Sequence, residues 1–134
     1  MVVLDTDLLV AYLRGKENGI EIVQKLKSDN QSLDTTVFNV AELYKGSYLM
    51  KNTAKGLMKV KTLVESLDEV LKFNHEAIQE YAKISADLRK RGLMIGSFDE
   101  LIASICISNK ETFYTGNTKH FERIGELLVS NWRD

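Results

Sequence analysis

Short apolar runs alternate with longer amphipathic segments along this chain of 134 residues. The stretch from Val2 to Leu4 contains no polar residue, which is typical of a short strand buried on both faces. Similar runs predict further strands at Leu33, Val70–Phe73, Thr112–Thr115 and Leu127–Val129.

The segments between these strands repeat their apolar residues at helical spacing. They predict helices from Leu8 up to Gly15 and over residues 19–28, 37–50, 57–67, 75–91 and 97–109. Thr36 and Asn74 are expected N-caps, and Ser97 with Glu100 forms a capping-box pair. Gly92 is expected to end the long helix. The alternation predicts a single domain over residues 1–134, a three-layer α/β fold with a mostly parallel sheet.

The helix predicted over residues 37–50 has one broad apolar face, which we expect to turn toward the core. That face comprises Val37, Val40, Ala41, Tyr44 and Tyr48. Glu42 lies at the edge of this stripe, in the second turn. Gly46 would let another backbone approach the helix closely.

Composition narrows the class of protein. The formal net charge is −1, so no global positive field marks a nucleic-acid binder, and any polyanion must be met by local patches or by a metal ion. The single cysteine, Cys106, excludes an internal disulfide and favours a reducing, cytoplasmic setting. We find no signal peptide and no apolar run long enough for a membrane span.

Acidic and amide residues follow the predicted strands or begin the helices beside them. Asp5 follows the first strand, Glu42 lies on the helix after the second, Asp99 begins a later helix, and Asn117 follows the Thr112–Thr115 strand. In a parallel sheet all four would meet at the carboxyl edge, where α/β folds bind ligands.

Three carboxylates with an amide oxygen suit a hard divalent cation, Mg²⁺ or Mn²⁺, better than zinc. Asp99 lies in the first turn of its helix, where the macrodipole favours the ionised form. Because Asn117 is neutral, we expect one tightly bound ion. Asn117 is also open to the interpretation that it caps the following turn without contacting the metal, and from the residue alone this interpretation comes first. An ion at this site would activate a water molecule and stabilise charge on a phosphodiester during cleavage.

Four segments, LDTDLLVAYL, NVAELYKG, IGSFDELIASI and YTGNTKHFERI, resemble the motifs of PIN-domain ribonucleases of the VapC toxin type. Their order and spacing cover nearly the whole chain. By this resemblance, the family's first three acids fall on Asp5, Glu42 and Asp99, which implies that these residues bind the metal. The fourth, more variable acid falls on Asn117.

The resemblance also assigns the neighbours of these acids. The family's hydroxyl after the first acid falls on Thr6, which would hold a metal ligand or else is an N-cap. Thr115 precedes Asn117 by two residues as in the family. Asp7 stands where the family often has asparagine. It would add an outer-shell carboxylate, or else it is a solvated acid at a helix start.

The resemblance implies a Mg²⁺-dependent endoribonuclease that cleaves structured RNA, often transfer RNA, as the toxin of a toxin–antitoxin pair. It further implies a homodimer and a small antitoxin of the VapB kind that occupies a groove and reaches the acidic site with a basic side chain. Candidates for that groove or for the dimer face are Tyr44, Tyr48, Met50 and Leu57.

Two other functions stay open. The Asp5-Thr6-Asp7 pattern resembles the nucleophile motif of haloacid dehalogenase-type phosphatases, although the rest of that pattern is not evident. The second is a PIN-like binding module that has lost its activity together with its fourth acid. The basic run at residues 89–91 suits the end of a helix as well as RNA. The same holds for scattered lysines, which solvated faces explain equally well: Lys45, Lys51, Lys55, Lys59 and Lys61.

Overall fold

A computed structural model describes all residues from 1 to 134 and places five strands in one sheet. The strands are β1 (Val2–Leu4), β2 (Leu33–Thr36), β3 (Glu69–Leu71), β4 (Thr112–Thr115) and β5 (Val129–Asn131). Their order across the sheet is β3-β2-β1-β4-β5, and every neighbouring pair is parallel. The predicted parallel sheet is confirmed, with β1 at its centre.

Seven helices connect the strands and cover both faces of the sheet. They are α1 (Thr6–Leu13), α2 (Glu17–Ser28), α3 (Val37–Tyr48), α4 (Thr53–Ser66), α5 (His75–Arg91), α6 (Ser97–Ser108) and α7 (Thr118–Phe121). No helix combines the length and the apolar character that crossing a bilayer requires.

The side chains of β1 show how the two cores are divided. Val3 belongs to a core shared with α5 and α6, whereas Val2 and Leu4 belong to a core shared with α1 to α4. Successive side chains of a strand point to opposite faces, so the helices form a layer on each side. This confirms the three-layer architecture, and it fixes the end of β1 between two packed cores.

The prediction for the inward face of α3 is only partly correct. Val37 and Tyr44 are partly buried against the two cores, but the most buried positions lie elsewhere on the helix. The buried residues of α3 are Asn39, Leu43 and Ser47, whereas Tyr48 is 69% exposed. Two of the three are polar, and they are tolerated in the interior because each has hydrogen-bond partners. The apolar stripe therefore identified only part of the side of the helix that is buried.

Close helix contact also occurs at a different glycine from the one expected. A Cβ atom at Gly46 would meet open space, whereas one at Gly56 of α4 would lie 3.2 Å from the Cβ of Ser47. The helices α3 and α4 therefore approach each other at Gly56 and Ser47.

The boundaries of the helices and strands largely follow the predicted signals, but α4 begins at Thr53, four residues before its predicted start, and β3 ends at Leu71. Thr36 and Asn74 cap their helices through side-chain hydrogen bonds, and Gly92 ends α5 in the left-handed conformation. The capping box of Ser97 with Glu100 does not form. Gly96 precedes α6 at a φ of 102° with no side-chain cap, and Glu100 is buried instead.

Two further differences lie at the end of the chain. The short helix α7 lies after β4, where no helix was predicted. The last strand begins at Val129 rather than Leu127, because the side chain of Leu127 is buried in the core beside α5 and α6.

A buried acidic pair lies near the amino end of the sheet. Glu111, just before β4, is 3% exposed, and neither of its carboxylate oxygens has a hydrogen-bond partner. Burial, together with the neighbouring Asp34, raises the pKa of Glu111 to about 8. The folded chain therefore binds the carboxyl proton of Glu111 more tightly than the unfolded chain, in which this group has an ordinary pKa.

Because the folded-state pKa is raised, stability falls as the pH rises from the ordinary glutamate pKa to about 8. We expect Glu111→Gln to reduce this loss and to unfold at a higher temperature than wild type above pH 8. Thermal unfolding across this pH range measures the effect. Glu21→Gln, at an exposed position of α2, is the matched control. Equal pH dependence in wild type and Glu111→Gln would contradict the prediction.

Candidate active site

A cleft of about 640 Å³ opens at the carboxyl edge of the sheet. Each of its acidic or amide side chains follows a strand or lies in the first turns of a helix that faces this edge. The cleft brings together six of the residues singled out from the sequence, namely Asp5, Thr6, Asp7, Glu42, Asp99 and Asn117. Thr115, the seventh, is buried beneath it.

Hydrogen bonds from three elements fix the Asp5 carboxylate. Its Oδ1 accepts from the backbone N–H of Thr6 at 2.8 Å and from Nδ2 of Asn39 at 3.0 Å. Its Oδ2 accepts from the hydroxyl of Thr115 at 2.7 Å. The backbone N–H of Asp5 donates to the carbonyl of Tyr114 at 2.9 Å, which extends the β1–β4 ladder by one residue. Asp5 is thus both the N-cap of α1 and the point where α1, α3 and β4 meet.

The three predicted metal ligands share one electrostatic property, a raised pKa. Burial raises the pKa of Asp5 to about 7 against the lowering effect of the Thr115 hydrogen bond, and the charges of Asp7 and Glu42 add to the rise. Burial also raises the pKa of Glu42 and of Asp99. For Asp99, burial opposes the helix macrodipole, which by itself favours ionisation. Keeping these carboxylates ionised therefore costs free energy, and a bound cation would offset that cost.

Asn39 organises the cleft floor, a role that the sequence did not reveal. It is fully buried, and its Oδ1 accepts from the Thr36 hydroxyl at 2.7 Å. Its Nδ2 donates to Asp5 and, at 2.9 Å, to the Thr6 hydroxyl. Because Thr6 accepts from Asn39, its own proton is directed to Oε1 of Glu42, 2.7 Å away. The available signal was the Thr36-x-x-Asn39 spacing, which forms a capping box at the start of α3.

Asp7 faces the end of the chain and is not the solvated helix-start acid that was one of its two interpretations. Its Oδ2 accepts from the backbone N–H of Gly116 at 2.8 Å, and its Oδ1 accepts from the indole N–H of Trp132 at 3.1 Å. A Cβ atom at Gly116 would lie 2.7 Å from that Oδ2, so only glycine allows the contact. Asp7 therefore joins α1 to the loop after β4 and to the residues after β5.

Asp99 and Asn117 face each other across His120. The Nδ1 atom of His120 lies 3.4 Å from Oδ2 of Asp99 and 3.0 Å from Nδ2 of Asn117. Asn117 occupies the N-cap position of α7, but its side chain makes no capping hydrogen bond there. Its side-chain oxygen has no hydrogen-bond partner in the protein and remains available to a ligand.

The oxygen ligands of the cleft suit a hard cation that keeps some of its water molecules, and not one that protein ligands enclose completely. No three carboxylate, imidazole or thiol groups lie close enough together to hold one ion directly. Asn39 and Thr6 stand between Asp5 and Glu42 in a continuous line of hydrogen bonds. Mg²⁺ usually keeps several water molecules and binds through one or two carboxylates, which this spacing accommodates.

Comparison with known proteins agrees with this geometry. The profile of the PIN domain family matches residues 2–127. Ribonuclease VapC2 of Rickettsia felis is 29% identical over 96% of each chain. The tRNA(fMet)-specific endonuclease VapC of Shigella flexneri is 25% identical, again over 96% of each chain.

A solved structure extends the likeness to the fold. The structure is that of VapBC2 from Rickettsia felis bound to a DNA fragment from its promoter. The match covers 98% of this chain and 99% of the matched chain, with a TM-score of 0.90 and 27% sequence identity. All the cleft acids lie within the matched profile. The chain therefore belongs to the PIN domain family, and within it to the VapC type.

Proposed function

We propose that this chain is a Mg²⁺- or Mn²⁺-dependent endoribonuclease and the toxin of a toxin–antitoxin pair. The observation that carries the proposal is the convergence of three carboxylates with raised pKa values in one cleft. PIN-domain nucleases of the VapC type generally use a divalent metal ion. We assign metal binding to Asp5, Glu42 and Asp99, with the amide oxygen of Asn117 as a further donor.

The cofactor would polarise the phosphodiester and lower the pKa of a bound water. The protein supplies the positions of the groups around it. Thr115 and Asn39 hold both oxygens of Asp5, so that its remaining lone pairs keep a fixed direction. Thr6 holds Oε1 of Glu42 and leaves Oε2 without a protein partner. That free oxygen can accept a hydrogen bond from a water molecule in the cleft.

We propose a structured RNA, with transfer RNA as the first candidate, as the substrate. The name of the Shigella flexneri relative supports this choice, since that protein is a tRNA(fMet)-specific endonuclease. The cleft lies at the surface, and the chain carries a net charge of only −1. RNA choice would therefore depend on shape and on a few local cations.

We further propose a VapB-type antitoxin and a second copy of this chain as partners. The corner between α3 and α4 exposes large apolar residues that no part of the chain covers, namely Tyr48, Leu49, Met50 and Met58. Beside it, a groove of about 510 Å³ is lined by Tyr12, Leu13 and Met58 among others. The likeness to VapBC2 of Rickettsia felis supports an antitoxin as one occupant.

The two competing functions differ in support. The phosphatase hypothesis needs Asp7 as an acid/base, but both of its oxygens are engaged by Gly116 and Trp132. A non-catalytic binding module retains one observation in its favour, the neutral Asn117 in place of a fourth acid. Cleavage assays decide between this module and the nuclease.

We expect Asp99→Asn to lower RNA cleavage by about 10² to 10³-fold, because it removes one charge that would hold the ion. The measurement incubates partner-free protein with total cellular RNA in Mg²⁺, in Mn²⁺ and in chelator. Asp29→Asn, at an exposed site after α2, is the matched control. Cleavage that persists in chelator or in Asp99→Asn would contradict the proposal. Metal binding without cleavage of any RNA would favour the binding module.

Metal binding should strengthen as the pH rises toward about 8. Below pH 7 the raised pKa keeps Asp5 largely protonated, so the ion must displace a proton to reach it. Calorimetry with Mn²⁺ in buffers of different ionisation enthalpy measures both the affinity and the protons released. Asp5→Asn should bind more weakly and release fewer protons. An affinity independent of pH between 6 and 8 would show that Asp5 does not titrate on binding.

Asn39→Asp should weaken Mn²⁺ binding by about 10- to 100-fold, the usual cost of losing a residue that orients a metal ligand. The change removes both N–H donors and places a carboxyl group beside Asp5 and Thr6. It should also lower the stability of the metal-free protein by about 1–3 kcal/mol, because buried partners lose hydrogen bonds. Calorimetry and thermal unfolding measure the two effects.

Thr6→Ser is the matched control for this prediction, because it keeps the hydroxyl that joins Asn39 to Glu42. It should bind Mn²⁺ nearly as wild type does. If Asn39→Asp lost stability but kept its metal affinity, Asn39 would be a structural residue only.

A further inference from the structure

Basic side chains also line the acidic cleft. Arg14, Lys16 and Arg133 line the same cleft as the carboxylates, and none of them was singled out from the sequence. We infer that these three residues form a phosphate-binding wall, which holds the ribose-phosphate backbone of an RNA strand next to the bond that is cut. This inference rests on the proposed nuclease function for the identity of the strand.

Two of the cations come from one tight turn. Arg14 follows α1, Lys16 precedes α2, and Gly15 between them has a φ of 71°, a conformation that glycine adopts without strain. Both side chains are exposed, and neither forms an ion pair or a hydrogen bond within the protein. Their charges are therefore free to act on a ligand in the cleft.

Arg133 reaches the cleft from the opposite end of the chain and is held in place. Its guanidinium lies 5.0 Å from the centre of the buried Trp132 ring, and its Nη2 lies 3.9 Å from Oδ2 of Asp7. A Cβ atom at Gly116 would lie 2.6 Å from Nε of Arg133, so the missing side chain leaves room for it. An arginine restrained in this way keeps several N–H donors for a phosphate and loses less entropy on binding.

The charge layout explains why such a wall is needed. The floor of the cleft is acidic, and the whole chain carries a net charge of −1, so neither attracts a polyanion. A metal ion would neutralise the floor only where the cleaved phosphate sits. Phosphates on either side of it still need cations, and the wall supplies three within one cleft of about 640 Å³.

The basic residues weighed from the sequence as RNA contacts lie outside this cleft. Residues 89–91 end α5 away from the cleft, where Arg91 is paired with Asp87 at 2.6 Å. Among the scattered lysines, Lys45 alone lies beside Glu42, in a neighbouring hollow. Arg89 and Lys90 therefore offer a matched pair of charges outside the site.

The test measures binding of a fluorescent single-stranded RNA by anisotropy, in Mg²⁺, at several salt concentrations. The full chain carries Asp99→Asn so that the RNA stays intact. For single strands each lost phosphate contact reduces the slope of log K against log salt by about 0.7. Arg14→Gln with Lys16→Gln should reduce the slope by about 1.4, and Arg133→Gln by about 0.7. The control, Arg89→Gln with Lys90→Gln, should leave the slope unchanged.

Cleavage by the otherwise wild-type chain gives a second readout. With long RNA, the Arg14→Gln and Lys16→Gln pair should raise KM and leave kcat nearly unchanged, since the wall binds substrate and transition state alike. A dinucleotide, which has only the phosphate that is cut, should be insensitive to the same pair. Thermal unfolding should show that the variants remain folded.

Equal salt slopes for the wall variants and the control would overturn the inference. So would unchanged RNA binding together with weaker antitoxin binding, which would assign the wall to a protein partner. The two proposals fail separately. If wild type cleaves RNA and the wall variants behave like it, the phosphate-binding wall is rejected and the nuclease proposal stands. If RNA binding depends on the wall residues but wild type cleaves no RNA, the wall stands and the nuclease proposal is rejected.

Discussion

The fold and the site both depend on the position of one carboxylate, that of Asp5. It ends the central strand, caps α1, and accepts hydrogen bonds from α3 through Asn39 and from β4 through Thr115. Because one carboxylate joins these four elements, a shift in the end of β1 would displace the floor of the cleft. The two cores above and below β1 fix that end, because Val3 packs on one side and its neighbours on the other.

Holding Asp5 in this way has an energetic consequence. Buried carboxylates favour the protonated form, and the raised pKa values of the cleft show that the metal-free protein holds them ionised only at a cost. The hydrogen bonds from Thr115 and Thr6 reduce that cost without removing it. Because a cation would bind the folded arrangement and not the unfolded chain, metal binding and stability are linked through the same side chains.

Much of this arrangement could be predicted from the sequence, because it depends on local patterns. The buried run before Asp5, the N-caps at Thr36 and Asn74, and the alternation of strands with helices all act over a few residues. Parallel strands then bring residues after different strands to one edge, which is why the order of the elements is enough to predict that Asp99 and Asn117 share a cleft.

The features that could not be predicted depend on partners far away in the chain. Asn39 can be buried because Asp5 and Thr6 accept hydrogen bonds from its side-chain amide. The pattern of apolar residues along the helix does not indicate these bonds. Asp7 contacts Gly116 and Trp132, which are 109 and 125 residues away. In each case a polar side chain is stabilised inside by one specific acceptor or donor, and hydrophobic periodicity reports only average burial.

The same distance in sequence explains how one cleft combines opposite charges. The acids lie after strands or at the starts of helices, where hydrogen bonds fix them. The cations lie on the α1–α2 turn and after β5, and their side chains also line the cleft. If the cations stood among the acids, they would pair with them and leave neither a metal site nor a phosphate site. Arg133 alone approaches an acid, Asp7, whose oxygens already accept hydrogen bonds from Gly116 and Trp132 and whose Oδ2 lies 3.9 Å from Nη2 of Arg133. The acidic floor and the basic wall therefore share one cleft because the first and last segments of the chain meet, as they do where Trp132 contacts Asp7 of α1.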